Sequence, residues 1–375
     1  MTIPSSHRKR PATVCYVLSY RFPRYVRTKT LTRALSGMDN VVLVEAVNTM
    51  TGPLRYLQTL ARLSAVRIMH DPDCYILGFR GHELFWPVRL LTLGKPLIVD
   101  HMMSPWDSLV NEKKRFRRGG LMERLLYRYE RLLLHAADGI LTDTDLHADF
   151  LADSFGLRRG AIRSVPVGAD EELFAPPPPG AVARRDDLFH VFFYGTFLPL
   201  HGVPVILEAA AMLRDRPVRF TLVGGKGTDL ADFHAMRTGL GLDRVTHREW
   251  VDYERLPGMI AEADLCLGGP FGDTGQSRRV VTGKTFQFLA MGKPTVVGRI
   301  DGDFGFEDRK NCLLVPQGDG GELARMILWC LEHREELGGI GRRGRELYRA
   351  RFSTGPIGEI LRELLATCAP QRGRG

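Results

Sequence analysis

The chain has 375 residues, 44% hydrophobic and 25% charged, with 40 Gly and 22 Pro, which is too apolar for a disordered chain and longer than one hydrophobic core usually serves. Its apolar stretches, such as 206–213 with Glu208 inside it, fall far short of the roughly 20 residues of a membrane span. The formal charge of +9 is uneven: residues 1–180 carry 25 Lys and Arg against 18 Asp and Glu, whereas 181–375 carry 27 against 25.

The short apolar run after Arg8, Lys9 and Arg10 reads as a first strand rather than a secretory leader, so a cytoplasmic protein is expected. Taken in chain order, β-branched or aromatic runs then alternate with longer stretches of helical spacing, which predicts parallel sheets with crossover helices. Strands are expected at 14–18, 41–45, 74–77, 97–100, 139–142 and 162–166, then at 190–194, 219–223, 265–268, 295–297 and 313–315. Helices between them include 122–137, 203–214, 253–263, 284–291 and 321–333. Pro176, Pro177, Pro178, Pro179 and Gly180 can neither continue a helix nor feed a sheet ladder. They predict a domain over 1–175, a linker over 176–184 and a second domain over 185–355, with 356–375 forming a helix able to cross back to the first domain, and a tail. The expected class is α/β, two Rossmann-like doubly wound domains facing across a cleft. Cys15, Cys74, Cys266, Cys312, Cys330 and Cys368 lie far apart with no Cys-x-x-Cys pair, so buried thiols are expected and no metal site is written.

Three glycine-bearing turns carry the chemistry. In the first, the apolar residues Val191, Phe192, Phe193 and Tyr194 run into Gly195 and Thr196, and His201 and Gly202 precede an amphipathic stretch. Backbone N–H groups and a helix N-terminus thus meet at a strand's carboxyl end, which suits a phosphate; a turn without a ligand is the alternative. The second, around Gly224, Gly225, Lys226 and Gly227, lacks the last glycine of the dinucleotide fingerprint, and no P-loop sequence occurs. The third passes through Gly268, Gly269, Gly272, Asp273, Thr274, Arg278 and Arg279 to Lys284 and Gln287, on a stretch that stops at Gly292, Lys293 and Pro294. Cations and a helix N-terminus there fit a diphosphate that must be held and whose developing charge must be neutralised.

In order and spacing these segments resemble the nucleotide-sugar-binding half of GT-B glycosyltransferases, in the large retaining family (family 4-like, group 1) with a Gly…Lys-Gly loop and a Glu…Ala-x-Gly-x-Pro helix. The likeness extends through Thr246, Trp250 and Asp264 and through Asn311, Pro316 and Asp319; upstream, Tyr129, Glu130, Asp138, Pro166, Gly168, Asp170 and Phe174 match more loosely. The resemblance implies a UDP- or GDP-sugar as substrate, with no cofactor, held by Gly195, Thr196, His201, Gly202, Gly224, Gly225, Trp250, Gly272, Asp273, Thr274 and Gln287. It implies that Arg279 and Lys284 neutralise the leaving diphosphate, that His101 lies by the donor sugar and acceptor hydroxyl, and that attack comes from the front face without a metal or an obligatory covalent intermediate. Arg80, His82 and Asp100, which also follow strands, are acceptor-binding candidates; capping a strand or turning a loop is the alternative for them and for His101.

Three residues depart from the family pattern. Thr196 and His201 stand where relatives usually carry Arg and Lys, which leaves the cations of the facing loop to hold the diphosphate. Gln287 replaces a common Glu that accepts from ribose hydroxyls, a loss of ~1 kcal/mol in that bond.

Between Lys113 and Arg131, eight cations (Lys113, Lys114, Arg115, Arg117, Arg118, Arg124, Arg128 and Arg131) oppose only Glu123 and Glu130, with Phe116, Leu121, Met122, Leu125, Leu126, Tyr127 and Leu132 interleaved. This fits either an amphipathic element on anionic lipid or a solvated helix packed on its own sheet. The expected partners are a nucleotide-sugar, a saccharide or lipid-linked acceptor and an anionic membrane surface; no nucleic-acid-binding module accompanies the charge. The leading expectation is a hexosyltransferase-like enzyme of cell-envelope or surface-polysaccharide synthesis, peripheral on the inner membrane face. A nucleotide-sugar epimerase of the same fold and a non-catalytic sugar-nucleotide- or membrane-binding subunit are the rivals.

Overall fold

The computed structural model describes residues 10–178 and 187–368; residues 1–9, most of the expected linker (179–184) and the tail 369–375 lie outside the described residues. The described chain forms two units. The first takes the residues up to Val110, Arg115–Pro166 and the helix that begins at Thr354; the second takes Asn111–Lys114 and Val167–Ser353.

The first unit alternates β1 (Ala12–Leu18), α1 (Val26–Ser36), β2 (Val41–Val47), α2 (Arg55–His70), β3 (Cys74–Leu77), α3 (Phe85–Leu91), β4 (Leu97–Asp100), α4 (Leu121–Ala136), β5 (Gly139–Thr142), α5 (Asp145–Phe155) and β6 (Ile162–Ser164). The strands pair in parallel in the order β2-β1-β3-β4-β5-β6. Its central strands are unbroken apolar runs because helices cover both faces. On one face Leu63 and Val66 of α2, Phe85 and Val88 of α3, Leu133 and Leu134 of α4 and Leu151 and Phe155 of α5 join the core. Leu31 and Leu35 of α1 cover the other face together with Ile357 and Leu361 of the C-terminal helix. Strand β6 stops at Ser164, short of the expected 166, where Pro166 has no N–H to donate.

The second unit contains β7 (Phe189–Gly195), α6 (Val203–Met212), β8 (Val218–Gly224), α7 (Gly227–Gly239), β9 (Val245–Arg248), α8 (Leu256–Ala261), β10 (Leu265–Leu267), α9 (Gly283–Ala290), β11 (Thr295–Gly298), β12 (Leu313–Val315), α10 (Gly320–Glu332) and α11 (Arg334–Arg351). The chain then continues as α12 (Thr354–Cys368), the helix that packs on α1 in the first unit. The second sheet is also parallel, ordered β12-β11-β10-β7-β8-β9. Strand β9 was not expected from the sequence: it lies at an edge, and Thr246, His247 and Arg248 leave Val245 as its one fully apolar position. The single helix expected over 253–263 is a 3₁₀ turn (Tyr253–Arg255) followed by α8, with Pro257 in the first turn of α8. Asp319 caps α10 by accepting from the Glu322 N–H at 2.8 Å.

Each sheet reverses its winding once, between β1 and β3 in the first and between β7 and β10 in the second. In open parallel sheets, crevices form at the carboxyl ends of the two strands that flank such a reversal. The described cysteines Cys15, Cys74, Cys266, Cys312 and Cys330 are free and buried.

Candidate functional site

In the second unit, the loops that leave β7 and β10 flank the reversal point and lock into each other. Gly272 N–H donates to the Leu200 carbonyl at 3.1 Å. A Cβ on Gly202 (φ +64°) would stand 2.4 Å from Gly272 N, and one on Gly272 would stand 2.1 Å from the Pro199 carbonyl oxygen. Only glycines permit this approach, so the first and third sequence turns are one structure.

Lys284 occupies the first turn of α9 and is buried, with its Nζ 4.9 Å from the centre of the Phe193 ring. Its Cε lies 3.5 Å from where a Cβ on Gly195 would sit, and His201 Cε1 lies 3.0 Å from the same point. Burial pushes the Lys284 amine down to about 7, with no carboxylate among the described residues to oppose it. Burial, and secondly Lys284 itself, holds His201 well below its ordinary range, so its ring is neutral. The His201 Nδ1 is buried and has no hydrogen-bond partner among the described residues. An amine, an imidazole nitrogen and the backbone of Gly195 thus meet at the end of β7.

The second glycine turn adjoins the first: Gly225 N–H donates to the Gly195 carbonyl at 2.8 Å. His247 from β9 donates to the Gly224 carbonyl at 2.8 Å. The Trp250 indole, 63% exposed, lies over Gly224, where a Cβ would meet its Cε3 at 3.0 Å. Thr196 is half-buried on the same loop. Gln287 is buried one turn along α9 from Lys284; its Nε2 donates to the Tyr253 hydroxyl at 2.7 Å, and its Oε1 has no partner among the described residues.

The remaining third-turn residues point elsewhere. Asp273 is exposed and pairs with Arg278, and Thr274 closes a turn with Ser277, accepting from the Ser277 N–H at 3.1 Å. Arg279 is half-buried, its guanidinium folded back over Gly275, where Glu112 also arrives. The Gln276 N–H donates to Glu112 Oε1 at 2.9 Å. Of the two cations expected to act together, Lys284 adjoins Gly195 and Arg279 adjoins Gly275.

In the first unit, Asp100 is not presented to a ligand. Arg27 from α1 grips it inside the core, Nη2 to Oδ1 at 2.8 Å, with both side chains wholly inaccessible. Arg27 also donates to the Thr142 and Pro166 carbonyls at 3.1 and 3.0 Å. The acceptor assignment of Asp100 is therefore replaced by a structural one, tying α1 to the ends of β4 and β5. His101 is buried and its Nε2 meets Glu130 Oε1 at 2.9 Å, while Glu130 Oε2 accepts from the Trp106 N–H at 2.7 Å. His82 lies 6.5 Å from His101, ring centre to ring centre. Burial, and secondly His101, pushes His82 down to about 4. Arg80 sits at φ +60° just after β3 and donates to Glu83 Oε1 at 2.8 Å. Sequence reasoning missed Arg27, Tyr253 and the partnership of Glu130 with His101; Tyr253 and Glu130 stood within segments already matched to the family, and Arg27 did not.

The outer surfaces of α2, α3 and α4, all on one face of the first sheet, carry exposed apolar side chains: Leu57 and Ile68, then Trp86 and Leu90, then Leu121, Met122, Leu125 and Leu132. Lys113, Lys114, Arg115, Arg117, Arg118, Arg124, Arg128 and Arg131 are exposed along the same stretch of chain as the α4 group. The inner side of α4 packs through Leu133 and Leu134, so the helix is buried along one stripe and apolar on part of the other. Among the described residues no helix is long and apolar enough to cross a membrane.

Residues 189–333 match the family described as glycosyl transferases group 1. The chain is 28% identical over 236 residues to D-inositol 3-phosphate glycosyltransferase 2 of Catenulispora acidiphila, covering 59% of this chain and about half (54%) of that relative's length. In three dimensions it resembles Anabaena HepE in complex with UDP-glucose, with a TM-score of 0.71 and 17% identity over 95% of this chain and 99% of that one. It also resembles sucrose-phosphate synthase from Thermosynechococcus elongatus, with a TM-score of 0.73 and 18% identity over 95% and 100% of the two chains. Residues 189–333 carry the sequence likeness to the group 1 glycosyl transferases, and the pair of parallel six-stranded sheets shows the GT-B fold of these solved neighbours.

Proposed function

We propose that the protein is a retaining, metal-independent glycosyltransferase that moves a sugar from a UDP- or GDP-linked donor to a saccharide or lipid-linked acceptor in cell-envelope or surface-polysaccharide synthesis. The observation that carries this reading is the buried amine of Lys284 beside Gly195, with no carboxylate among the described residues opposing it. A buried cation without a counter-ion is costly, and a diphosphate placed there supplies the missing charge. The N-terminus of α9 adds partial positive charge at the same point.

In this reading the bond between the anomeric carbon and the β-phosphate oxygen breaks, and its electron pair goes to the phosphate. The acceptor hydroxyl bonds to the same face of that carbon, and its proton passes to the leaving phosphate oxygen. Lys284 and the Gly195 turn stabilise the growing negative charge, which lowers the barrier more than a base would. Gln287 Oε1 accepts from a ribose hydroxyl, and Trp250 flanks the base. The UDP-glucose held by HepE favours a UDP-sugar donor. The cationic, apolar outer side of α4 is read as the contact with anionic lipid that brings a lipid-linked acceptor to the enzyme.

A thermal-shift panel of UDP, GDP, ADP and their sugars tests the donor assignment, because a ligand that favours the native state raises its melting point. One nucleoside diphosphate is expected to raise the melting temperature of the wild type and not that of Lys284→Ala. No shift with any of them would overturn the reading.

A further inference from the structure

The peptide that joins Gly224 to Gly225, at the carboxyl end of β8, is held at both of its polar ends. A trans peptide points its C=O and its N–H in opposite directions. On one side the Gly225 N–H donates to the Gly195 carbonyl at 2.8 Å. On the other side the Gly224 carbonyl meets His247 Nε2 of β9, also at 2.8 Å. A carbonyl only accepts, so the imidazole is the donor and its Nε2 carries a proton.

This anchor answers a specific weakness of the turn. A Cβ on Gly224 would stand 2.3 Å from the Gly195 carbonyl oxygen, and one on Gly225 would stand 2.6 Å from Phe197 Cδ2. Close packing therefore demands glycine at both positions, at φ +102° and +81°. Two consecutive glycines leave the bonds on either side of their shared peptide free to turn, and a rotation of that peptide breaks its bond to Gly195. The donor from β9 opposes the rotation. An accepting carbonyl also polarises the N–H of its own peptide into a better donor, so His247 strengthens the hold on Gly195 as well as aiming it.

The imidazole is itself set in place by rings from three segments. Its half-buried ring lies edge-on to His234 of α7 at 4.9 Å and tilted against Phe233 at 5.2 Å. It is edge-on to Phe197, in the turn after β7, at 6.1 Å. Three residues beyond His247, the Trp250 indole lies over Gly224. A phenylalanine at 247 would fill the same ring box; the imidazole adds the N–H that a phenylalanine lacks.

We infer that His247 is a positioning residue of the proposed donor site: it locks the peptide between Gly224 and Gly225, and through that peptide's N–H it fixes Gly195 beside Lys284, where the diphosphate is read to bind. His247 acts through the backbone of two neighbouring turns, so its effect reaches the ligand by way of Gly195. The inference rests on the transferase reading for the identity of the ligand; the link from His247 to Gly195 is its own.

The test reads amide hydrogen exchange and calorimetric UDP binding in the full chain. His247→Phe keeps a ring in the box and removes the donor. Its Gly225 amide should exchange at least tenfold faster than in wild type, with the Leu222 amide in the middle of β8 unchanged, and UDP should bind at least tenfold more weakly. His247→Gln, which restores a side-chain N–H, should keep Gly225 protected and bind UDP within threefold of wild type. His247→Met, as long as glutamine and without an N–H, should behave as His247→Phe does and serves in its place if the phenylalanine chain fails to fold. Unchanged Gly225 exchange in the donorless variants, equal acceleration at Leu222 and Gly225, wild-type UDP affinity despite faster Gly225 exchange, or a glutamine variant as weak as the methionine one would each overturn the inference. Failure of wild type to bind UDP, GDP or ADP would instead count against the transferase reading, and Gly225 exchange would still report the His247 bond, so the two failures are distinguishable.

Discussion

Lys284 stands beside Gly195: the lysine's Cε lies 3.5 Å from the position a Cβ on the glycine would take. A methyl group at 195 therefore presses on the His201 ring, 3.0 Å away, and comes into ordinary contact with the Lys284 stem. Gly195→Ala, at φ +159° where a side chain is strained, should keep the fold with a lowered melting temperature and bind UDP at least tenfold more weakly, and Lys284→Ala should lower turnover at least tenfold with the circular dichroism spectrum unchanged. Gly202→Ala is more disruptive, since its new methyl would meet backbone rather than flexible side chains; its melting temperature should fall further. Wild-type UDP affinity in Gly195→Ala would separate this loop from donor binding.

The pH dependence follows from the same amine. In the unfolded chain Lys284 titrates near its ordinary 10.5, and in the folded, unliganded protein near 7. Between those values the unfolded state holds a proton that the native state lacks, so this group makes stability rise with pH across that window. Below pH 7 both states are protonated and the native penalty is at its full, constant size. Lys284→Met should therefore gain most in melting temperature at and below pH 7, and the gain should shrink toward pH 10; a gain independent of pH would contradict the assignment. A diphosphate beside the amine raises its pKa, so UDP binding at pH 8 should take up about one proton, read as a dependence of calorimetric heat on the buffer's ionisation enthalpy.

The donor role proposed for Gln287 separates recognition of the nucleoside from that of the phosphates. Its Oε1 is buried and unpartnered among the described residues while its Nε2 is tied to Tyr253, so the amide stands ready to accept from a hydroxyl. Gln287→Ala should weaken UDP binding several-fold and leave inorganic pyrophosphate binding within twofold of wild type. Equal losses for both ligands would remove the residue from the nucleoside pocket.

Much of this was legible in the sequence wherever a local rule decided the outcome. The central strands at 74–77, 97–100 and 139–142 coincide with β3, β4 and β5 because a strand buried on both faces must be an unbroken apolar run bounded by polar residues. The glycine turns at Gly195, Gly202 and Gly272 were visible because only glycine tolerates the backbone contacts those loops make. What failed depended on partners distant in the chain. Asp100 follows a strand in the way a ligand-binding residue does, and only the fold reveals Arg27, 73 residues away, closing on it. Edge strand β9 has one apolar position, too few for any periodicity to register.

The proposed lipid contact rests on two separable forces. Neutralising Lys113, Lys114, Arg115, Arg117 and Arg118, all exposed, should lower association with phosphatidylglycerol vesicles and flatten its salt dependence, since each cation near such a surface contributes ~1 kcal/mol. Leu125→Ser with Leu132→Ser, at positions 49% and 61% exposed, should lower association without changing its salt dependence. Unchanged sedimentation of both variants would assign α4 to ordinary solvent exposure.

The Arg27–Asp100 pair sets the sharpest stability test. Both side chains are fully inaccessible, so removing one partner leaves a buried charge uncompensated, at a cost of about 3–5 kcal/mol. Arg27→Met strands Asp100 and also frees the carbonyls of Thr142 and Pro166; it should lower the denaturant midpoint more than Asp100→Asn, which retains an acceptor for the guanidinium. The double change Arg27→Met with Asp100→Leu should recover much of the loss, because replacing both buried ions with apolar groups removes their desolvation cost along with their attraction. A double variant no more stable than Arg27→Met alone would show that the carbonyl contacts of Arg27, rather than its charge, hold α1 to the sheet.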